Sequence, residues 1–232
     1  MVAVVPALDE ERTIGPVVSG LLAHWPLRAV IVGDNGSRDR TAEVARAHGA
    51  LVVHEPRRGY GAACLAALAA ARALPDGPPE VVVFADGDGA DDPRDLPRLL
   101  EPILAGRLDL VIGSRTLRPD SRRLLLPQAR FGNLLAVSLL RLLWGGRFTD
   151  LGPFRAVRWD ALERVGMVDR DYGWTVELQL KAARLGLRAG EVAVRYRERG
   201  AGRSKVSGTV TGSARAGVKI LSVIGRHALR GF

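Results

Sequence analysis

One cysteine, Cys64, stands in 232 residues, so an internal disulfide is excluded. The four histidines, His24, His48, His54 and His227, fall in no metal-ligand spacing, which excludes a structural zinc site of the usual kinds. Aromatic residues are scarce, at 5%, and do not interleave with basic side chains as a nucleic-acid surface needs. No run reaches the ~20 apolar residues of a spanning helix. No signal-peptide pattern follows Met1, which leads straight into VAVVPA. A P-loop, a G-x-S-x-G elbow and an H-E-x-x-H helix are absent as well. These absences lead us to expect a protein on the cytoplasmic side, without a membrane span.

What is present suits one large α/β domain or such a domain with an appended helix: 47% hydrophobic and 25% charged residues. The charge is uneven. Of a net +9, nearly all lies in residues 195–232, with nine basic side chains (Arg195, Arg197, Arg199, Arg203, Lys205, Arg215, Lys219, Arg226, Arg230) and one acid, Glu198. A basic tail, unlike a uniformly basic surface, points to a local anion such as a phosphate group or a lipid surface. The acids cluster in 86–95, a poor place for DNA and a good one for a divalent cation.

Five short Val/Ile-rich runs, 2–6, 29–33, 50–54, 80–85 and 109–113, read as strands apolar on both faces, as in a covered parallel sheet. Helical patterns lie between them at about 13–24, 39–48, 60–74 and 94–106. Repeated β-α units predict an α/β fold with a doubly wound sheet, whose ligands bind at the carboxyl ends of the strands. Beyond residue 120 come a helix at 128–144, apolar almost all round, a strand at 153–158, a short helix from Trp159, a helix at 173–186 and a strand at 190–197. The 128–144 helix, flanked by Arg130 and Arg141, is read either as core or as membrane-interface packing. Trp144 and Trp174 are read as buried, with contact to lipid or sugar as the alternative. A Gly/Ser-rich basic linker, 199–208, leads to a last helix over about 209–230. At about 100° per residue, Arg215, Lys219, Arg226 and Arg230 form one stripe, with Val210, Ile220, Leu221, Ile224 and Ala228 broadly opposite. Such a helix either packs on the domain with its basic face solvated or lies on a membrane surface.

The strongest local signal is VVVFADGDGADDP. An apolar strand ends in Asp86-Gly87-Asp88, with Asp91 and Asp92 just beyond. Two acids closing a strand crowd like charges unless a cation offsets them, and hard oxygen ligands suit Mg²⁺ or Mn²⁺. Asp86 and Asp88 are read as metal ligands, and Asp92 as the cap of the helix that Pro93 begins. Asp34 closes another strand in VIVGDNGSRDRT. Because Asn35-Gly36 is turn chemistry and Ser37 can cap the next helix, Asp34 is read as a ligand acceptor, a turn residue or both. RRGYGAAC carries two glycines of a dinucleotide fingerprint but has Cys64 where the third belongs, and it follows the third strand. Gly59 and Gly61 are therefore read as positions of close approach, to a nucleotide or to a neighbouring strand.

Eight motifs run in one order over residues 2–208: VVPALDEERTI, VGDNGSRDRT, RRGYGAA, FADGDGADDP, LVIGSR, DLGPFRA, GWTVELQLKAARLGLR and RERGAGRSK. On them the sequence resembles a family 2 glycosyltransferase of the GT-A fold, and among these the dolichyl- or polyprenyl-phosphate sugar transferases. The resemblance implies a catalytic domain over 1–208 followed by the basic helix 209–232. It implies that Pro6, Ala7, Glu10 and Asp34 line the nucleotide, beside the close approach expected at Gly61, that Asp86 sits near ribose and metal, and that Asp88 ligates the cation bridging the diphosphate. Arg199-x-x-Gly202-x-Ser204-Lys205 matches a loop that closes over donor and acceptor phosphate. Arg115, in GSR, matches a position that faces the same cavity, and Arg115 and Arg130 are expected at the acceptor phosphate. Three departures stand out. Asp9 replaces a usual Asn. Ala90 occupies a position that often supplies another polar metal ligand, for which Asp91 can substitute. The spanning helices that many relatives carry after the catalytic domain are not found in this sequence.

The resemblance further implies an inverting transfer from a nucleotide-diphosphate sugar of the GDP-mannose or UDP-glucose type, with Mg²⁺ or Mn²⁺ as cofactor. Growing charge on the leaving diphosphate needs an offset, from the metal and from Arg199 and Lys205. A phosphate-monoester acceptor, with a second pKa of ~6, is already substantially dianionic at neutral pH. It needs cationic orientation more than deprotonation, which suits a lipid phosphate and peripheral contact with a membrane. A hydroxyl acceptor would need a carboxylate base. Glu177 and Asp150 are the candidates, against structural readings as an exposed helix acid and a partner for Arg155. A sugar-phosphate nucleotidyltransferase would want a phosphate-gripping loop after the first strand, where Asp9-Glu10-Glu11 stands instead. A nucleic-acid-binding module is the non-enzyme alternative, and the acidic turn weighs against it.

Overall fold

A computed structural model describes residues 1–200 and the helix 210–229, with side chains in that helix from residue 216 onward. Among the described residues, β1 (Val2–Ala7), β2 (Ala29–Asp34), β3 (Leu51–His54), β4 (Val81–Phe84), β5 (Leu110–Ser114), β6 (Arg155–Arg158) and β7 (Ala189–Ala193) form one sheet in the order β3-β2-β1-β4-β6-β5-β7. The helices are α1 (Ile14–His24), α2 (Thr41–Ala47), α3 (Tyr60–Arg72), α4 (Leu96–Leu104), α5 (Pro119–Leu124), α6 (Pro127–Trp144), α7 (Trp159–Val165), α8 (Trp174–Arg184) and α9 (Val210–Leu229). Pleating sends alternate residues of a strand to opposite faces. Val2 and Val4 join a core layer with Cys64 and Ala67 of α3, Leu140 of α6, Leu178 of α8 and Val223 and Ile224 of α9. Ala3 and Val5 join the other layer, with Val18 and Leu21 of α1 and Leu96 and Leu99 of α4. The expected mostly parallel sheet with helices on both faces is what forms.

Four details differ from the sequence reading. β6 runs antiparallel and lies between β4 and β5, which are not neighbours. The chain reaches it from the α5–α6 excursion, so it enters the sheet from the opposite end. β3 is an edge strand whose Leu51 is half exposed rather than covered. α5 was not anticipated, because its six residues carry no apolar period. β7 is shorter than 190–197, since Arg195 and Arg197 leave the strand direction to meet acids on the α4 side.

α9 packs against α6 and α8. The helical-wheel partition holds in part: Ile224 is buried, Ile220 packs on the core and Arg226 is exposed. Ala216, Val223 and Ile224 are buried, whereas Leu221 and Ala228 face outward and Lys219 turns inward to the buried Asp169. A buried acid on the loop before α8 draws a lysine into the face that apolar residues otherwise occupy. On α6 the buried stripe is Ala136, Val137 and Leu140, and Phe131, Leu134 and Leu142 remain exposed. Trp174 is buried and meets Phe84 edge-on at 5.9 Å, and Trp144 packs partly buried against the core.

Candidate active site

Loops beyond the carboxyl ends of β1, β2 and β4 enclose a cavity of about 400 Å³. The β1 loop contributes Pro6, Ala7 and Glu10, and β2 contributes Asn35. Gly59 and Tyr60 come from the start of α3, and Asp86, Gly87 and Asp88 from the end of β4. Asp171, Tyr172 and Arg199 complete the wall. The β1 loop turns at Asp9, whose φ of 50° lies in the left-handed region that Asn and Asp tolerate better than most residues. That requirement explains how Asp serves at this turn. The turn is stapled to the next loop: Asp9 N–H donates to Ser37 Oγ at 3.0 Å, and Glu10 N–H to Thr41 Oγ1 at 2.7 Å. Asn35 braces residues 55–59. Its Nδ2 donates to the Arg57 carbonyl at 2.7 Å, and its Oδ1 accepts Gly59 N–H at 2.7 Å.

The acids after β4 carry the electrostatics. Tyr60 Oη donates to Asp86 Oδ1 at 2.9 Å. Asp88 Oδ2 meets Arg199 Nη2 at 2.7 Å, and Arg199 Nη1 stands 4.0 Å from Glu10 Oε1. Burial and the neighbouring Asp88 charge push the Asp86 carboxyl up to about 7. Burial, then the Asp86 charge, pushes Asp91 well above the usual carboxylate range. Asp91 Oδ2 accepts Asp86 N–H at 3.2 Å, and its Oδ1 is buried without a hydrogen-bond partner. The cluster is thus short of positive charge, which fits a cation. Among the described residues, no three His, Cys, Asp or Glu side chains converge as a preformed metal cluster. Asp91 does not line the cavity, whereas Asp86 and Asp88 do, so a cation bound there would meet these two carboxylates and take its remaining ligands from water and phosphate oxygens.

Other sequence expectations land elsewhere. Asp34 accepts Ser37 N–H at 3.2 Å and meets His54 Nδ1 at 3.1 Å, so its carboxylate serves the turn and not the cavity wall. Gly61 packs against the loop before α8. Asp150 is fully buried and pairs with Arg115 through both oxygens, each at 2.8 Å; its partner is Arg115, not Arg155. Arg115, stacked on Tyr196 at 5.1 Å, is occupied by that pair. Arg155 instead donates to the carbonyls of Leu151, Gly152 and Thr175, and burial lowers it to about 10. Glu177 is buried rather than exposed, accepts N–H of Asp169 at 2.8 Å and pairs with Lys181 at 2.7 Å. Neither base candidate lines the cavity. Arg130 donates to the carbonyls of Leu125 and Arg123, each at 2.8 Å, and so ties α6 to the end of α5. Arg195 is bound to Asp95 and Arg197 to Asp92, leaving Arg199 as the residue of 195–199 whose guanidinium faces the cavity. Asp92 also caps the turn at Pro93 by accepting Arg94 N–H at 3.1 Å. Ser204 and Lys205 lie outside the described residues.

Tyr60, Asp171 and Tyr172 were not among the residues singled out. Tyr60 sat inside a motif read for its glycines, and Asp171-Tyr172 immediately precede GWTVEL, where no periodicity marks them. A more open depression of about 790 Å³, between α4 and β7, is lined by Trp25, Pro102, Leu104 and Val192 and holds no paired acids.

The model of the family described as glycosyl transferase family 2 matches residues 2–166. Over 210 residues the chain is 40% identical to an uncharacterised glycosyltransferase of Mycobacterium tuberculosis, spanning 90% of this chain and 91% of that one. It is 33% identical to a dolichyl-phosphate hexose transferase of Haloferax volcanii, over 99% and 96% of the two chains. With an undecaprenyl-phosphate mannosyltransferase of Micrococcus luteus it shares 32%, over 92% and 90%. Its fold matches the crystal structure of glucosyl-3-phosphoglycerate synthase from M. tuberculosis in complex with Mn²⁺, UDP and glucosyl-3-phosphoglycerate. That match has a TM-score of 0.72 at 28% identity and covers 97% of this chain and 79% of that one. With a GT-A sheet, paired acids at the end of β4 and these relatives, the chain belongs to glycosyl transferase family 2 and is a nucleotide-sugar glycosyltransferase.

Proposed function

We propose that the cavity binds a nucleoside-diphosphate sugar through a divalent cation on Asp88 and Asp86, and that the sugar is transferred with inversion to a polyprenyl phosphate. The observation that carries this reading is the Asp86–Asp88 pair opening into the cavity with Arg199 across it at 2.7 Å. The bound cation, Mg²⁺ or Mn²⁺, supplies an offset for charge growing on the leaving diphosphate. Tyr60 orients Asp86 through its hydroxyl. Arg199 brings a fixed guanidinium to the same corner, suited to diphosphate or acceptor phosphate oxygens. An acceptor phosphate oxygen attacks the anomeric carbon from the face opposite the diphosphate. The carbon–oxygen bond to the diphosphate breaks, and its electron pair leaves with the nucleotide.

Three things support a phosphate acceptor. Such an acceptor needs no base, and both base candidates, Glu177 and Asp150, are turned away in buried ion pairs. The relatives from H. volcanii and M. luteus are named for dolichyl and undecaprenyl phosphates. α6 presents Phe131, Leu134 and Leu142 to solvent with the exposed Arg141 on the same helix, the makings of a peripheral membrane face. Among the described residues, no helix is long and apolar enough to cross a membrane.

The test is transfer from UDP-glucose and GDP-mannose, with Mn²⁺, to a short-chain prenyl phosphate, compared with 3-phosphoglycerate and free sugar acceptors. Transfer to the prenyl phosphate alone is expected. Preference for a hydroxyl acceptor, together with loss of turnover in Asp171→Asn, would move the reading to a base-assisted reaction at Asp171.

A further inference from the structure

The loop 166–173 joins α7 to α8 and carries Asp171 and Tyr172 into the cavity wall. Its inner side lies flat on the start of α3. A Cβ at Gly59 would stand 2.0 Å from the Arg170 carbonyl oxygen, and one at Gly61 would stand 2.1 Å from that of Asp169. Ala62 N–H donates to the Arg170 carbonyl at 2.9 Å. The loop's own shape is set by Asp169, whose Oδ1 accepts N–H of Asp171 at 2.8 Å and of Gly173 at 3.1 Å.

The other oxygen of Asp169 belongs to α9. Lys219 Nζ reaches Oδ2 at 3.0 Å, and Arg226 Nη2 stands at 3.9 Å. The Asp169 side chain is 5% exposed, so this pair, and not solvent, is its main ionic contact. Val223 of the same helix presses on the loop's end, since a Cβ at Gly173 would meet Val223 Cγ2 at 2.6 Å. The wall is thus held from inside by α3 and from outside by α9.

We propose that Lys219 is a positioning residue for the donor cavity: through Asp169 it holds the Asp171–Tyr172 wall, so that seating of α9 sets how tightly a nucleotide sugar is gripped. This rests on the reading of the cavity as the donor pocket. The lysine itself does not touch the cavity. Its influence passes through one carboxylate and two backbone N–H groups, a short physical path.

The test uses the full chain and three variants: Lys219→Met, which keeps the stem, Lys219→Arg, which keeps the charge, and Asp169→Asn. Amide hydrogen exchange is followed at Asp171 and Gly173, with Val168, held by Glu177, as an internal control. Binding of Mn²⁺ with UDP or GDP is measured by calorimetry. Lys219→Met and Asp169→Asn are expected to speed exchange at Asp171 and Gly173 selectively and to weaken nucleotide binding about tenfold, with Lys219→Arg restoring both. Unchanged loop exchange in Lys219→Met, faster exchange with undiminished affinity, or faster exchange spread equally over β1 and β4 would each overturn the positioning role. A wild-type chain that binds neither nucleotide would remove the donor reading and with it this role, whereas tight wild-type binding with no effect of Lys219→Met removes the role alone.

Discussion

Arg199 Nη2 stands 2.7 Å from Asp88 Oδ2, and Gly200 N–H donates to the Asp88 carbonyl at 3.2 Å, so the segment leaving β7 is pinned twice to the acids that close β4. Asp88 therefore meets both the expected cation position and the chain's own guanidinium. Asp88→Ala should lower sugar transfer at least ~100-fold, the usual scale for losing a group that stabilises transition-state charge. The melting temperature should fall by a few degrees without loss of the fold, because Asp88 also pairs with Arg199 and accepts Ala90 N–H at 2.9 Å, whereas its removal relieves the like charge beside Asp86. Nucleoside-diphosphate release and a thermal melt on the same sample check both halves, and undiminished turnover would remove the metal assignment.

The Asp86 carboxyl, raised to about 7 by burial and the Asp88 charge, makes two opposite pH trends. A cation needs the deprotonated acid, so Mn²⁺-dependent nucleotide binding should tighten as pH rises toward 7 and flatten above it. Folding runs the other way. The ordinary carboxyl of an unfolded chain has a pKa of ~4, so between there and 7 the folded state binds more protons than the unfolded one. This group's stabilising contribution is full below ~4, falls as pH rises and is lost once pH passes 7. Calorimetry and urea melts across pH 5 to 8 should show both slopes shrinking in Asp86→Asn.

Asp150→Asn breaks a buried pair in which the acid is fully buried and the Arg115 side chain 15% exposed. Leaving one buried partner uncompensated costs about 3 kcal/mol, readable as a shift in the urea midpoint. Turnover per folded molecule should persist, since Asp150 does not line the cavity. Abolished turnover at unchanged stability would restore Asp150 as the base.

Phe131, Leu134 and Leu142 are 70%, 63% and 79% exposed, so replacing all three by Ser should change stability by no more than about 0.5 kcal/mol each. If α6 is the membrane face, co-sedimentation with phosphatidylglycerol vesicles should drop about tenfold or more while Mn²⁺–nucleotide binding stays the same. Equal retention on vesicles would assign these side chains to another role.

Much of the site was legible because strand ends and turns are local. Asp86-Gly87-Asp88 follow an apolar run, and the position of such a run's end places the acids at the sheet's carboxyl edge. Pro6, Ala7 and Glu10 were legible for the same reason. The structure adds most where a side chain's partner is remote. Glu177 reads as an exposed helix acid until the loop before α8 folds its N–H groups onto it. Arg115 and Arg130 read as phosphate ligands until Asp150 and two carbonyls take them. In α9 the wheel assigns Lys219 to solvent, because nothing local announces Asp169.

By itself, the sequence determined the alternation of strands and helices, the sheet edge where the chemistry sits and the acids found there, because periodicity and strand termini depend on neighbouring residues. Only the tertiary structure decided which charges are free to act. Arg195 and Asp95 are 100 residues apart, as far removed in sequence as they are close in space, and each such pairing withdraws a cation or an acid from the cavity. A charged side chain's role is set by the partner that desolvation forces it to take, and that partner is chosen by the fold.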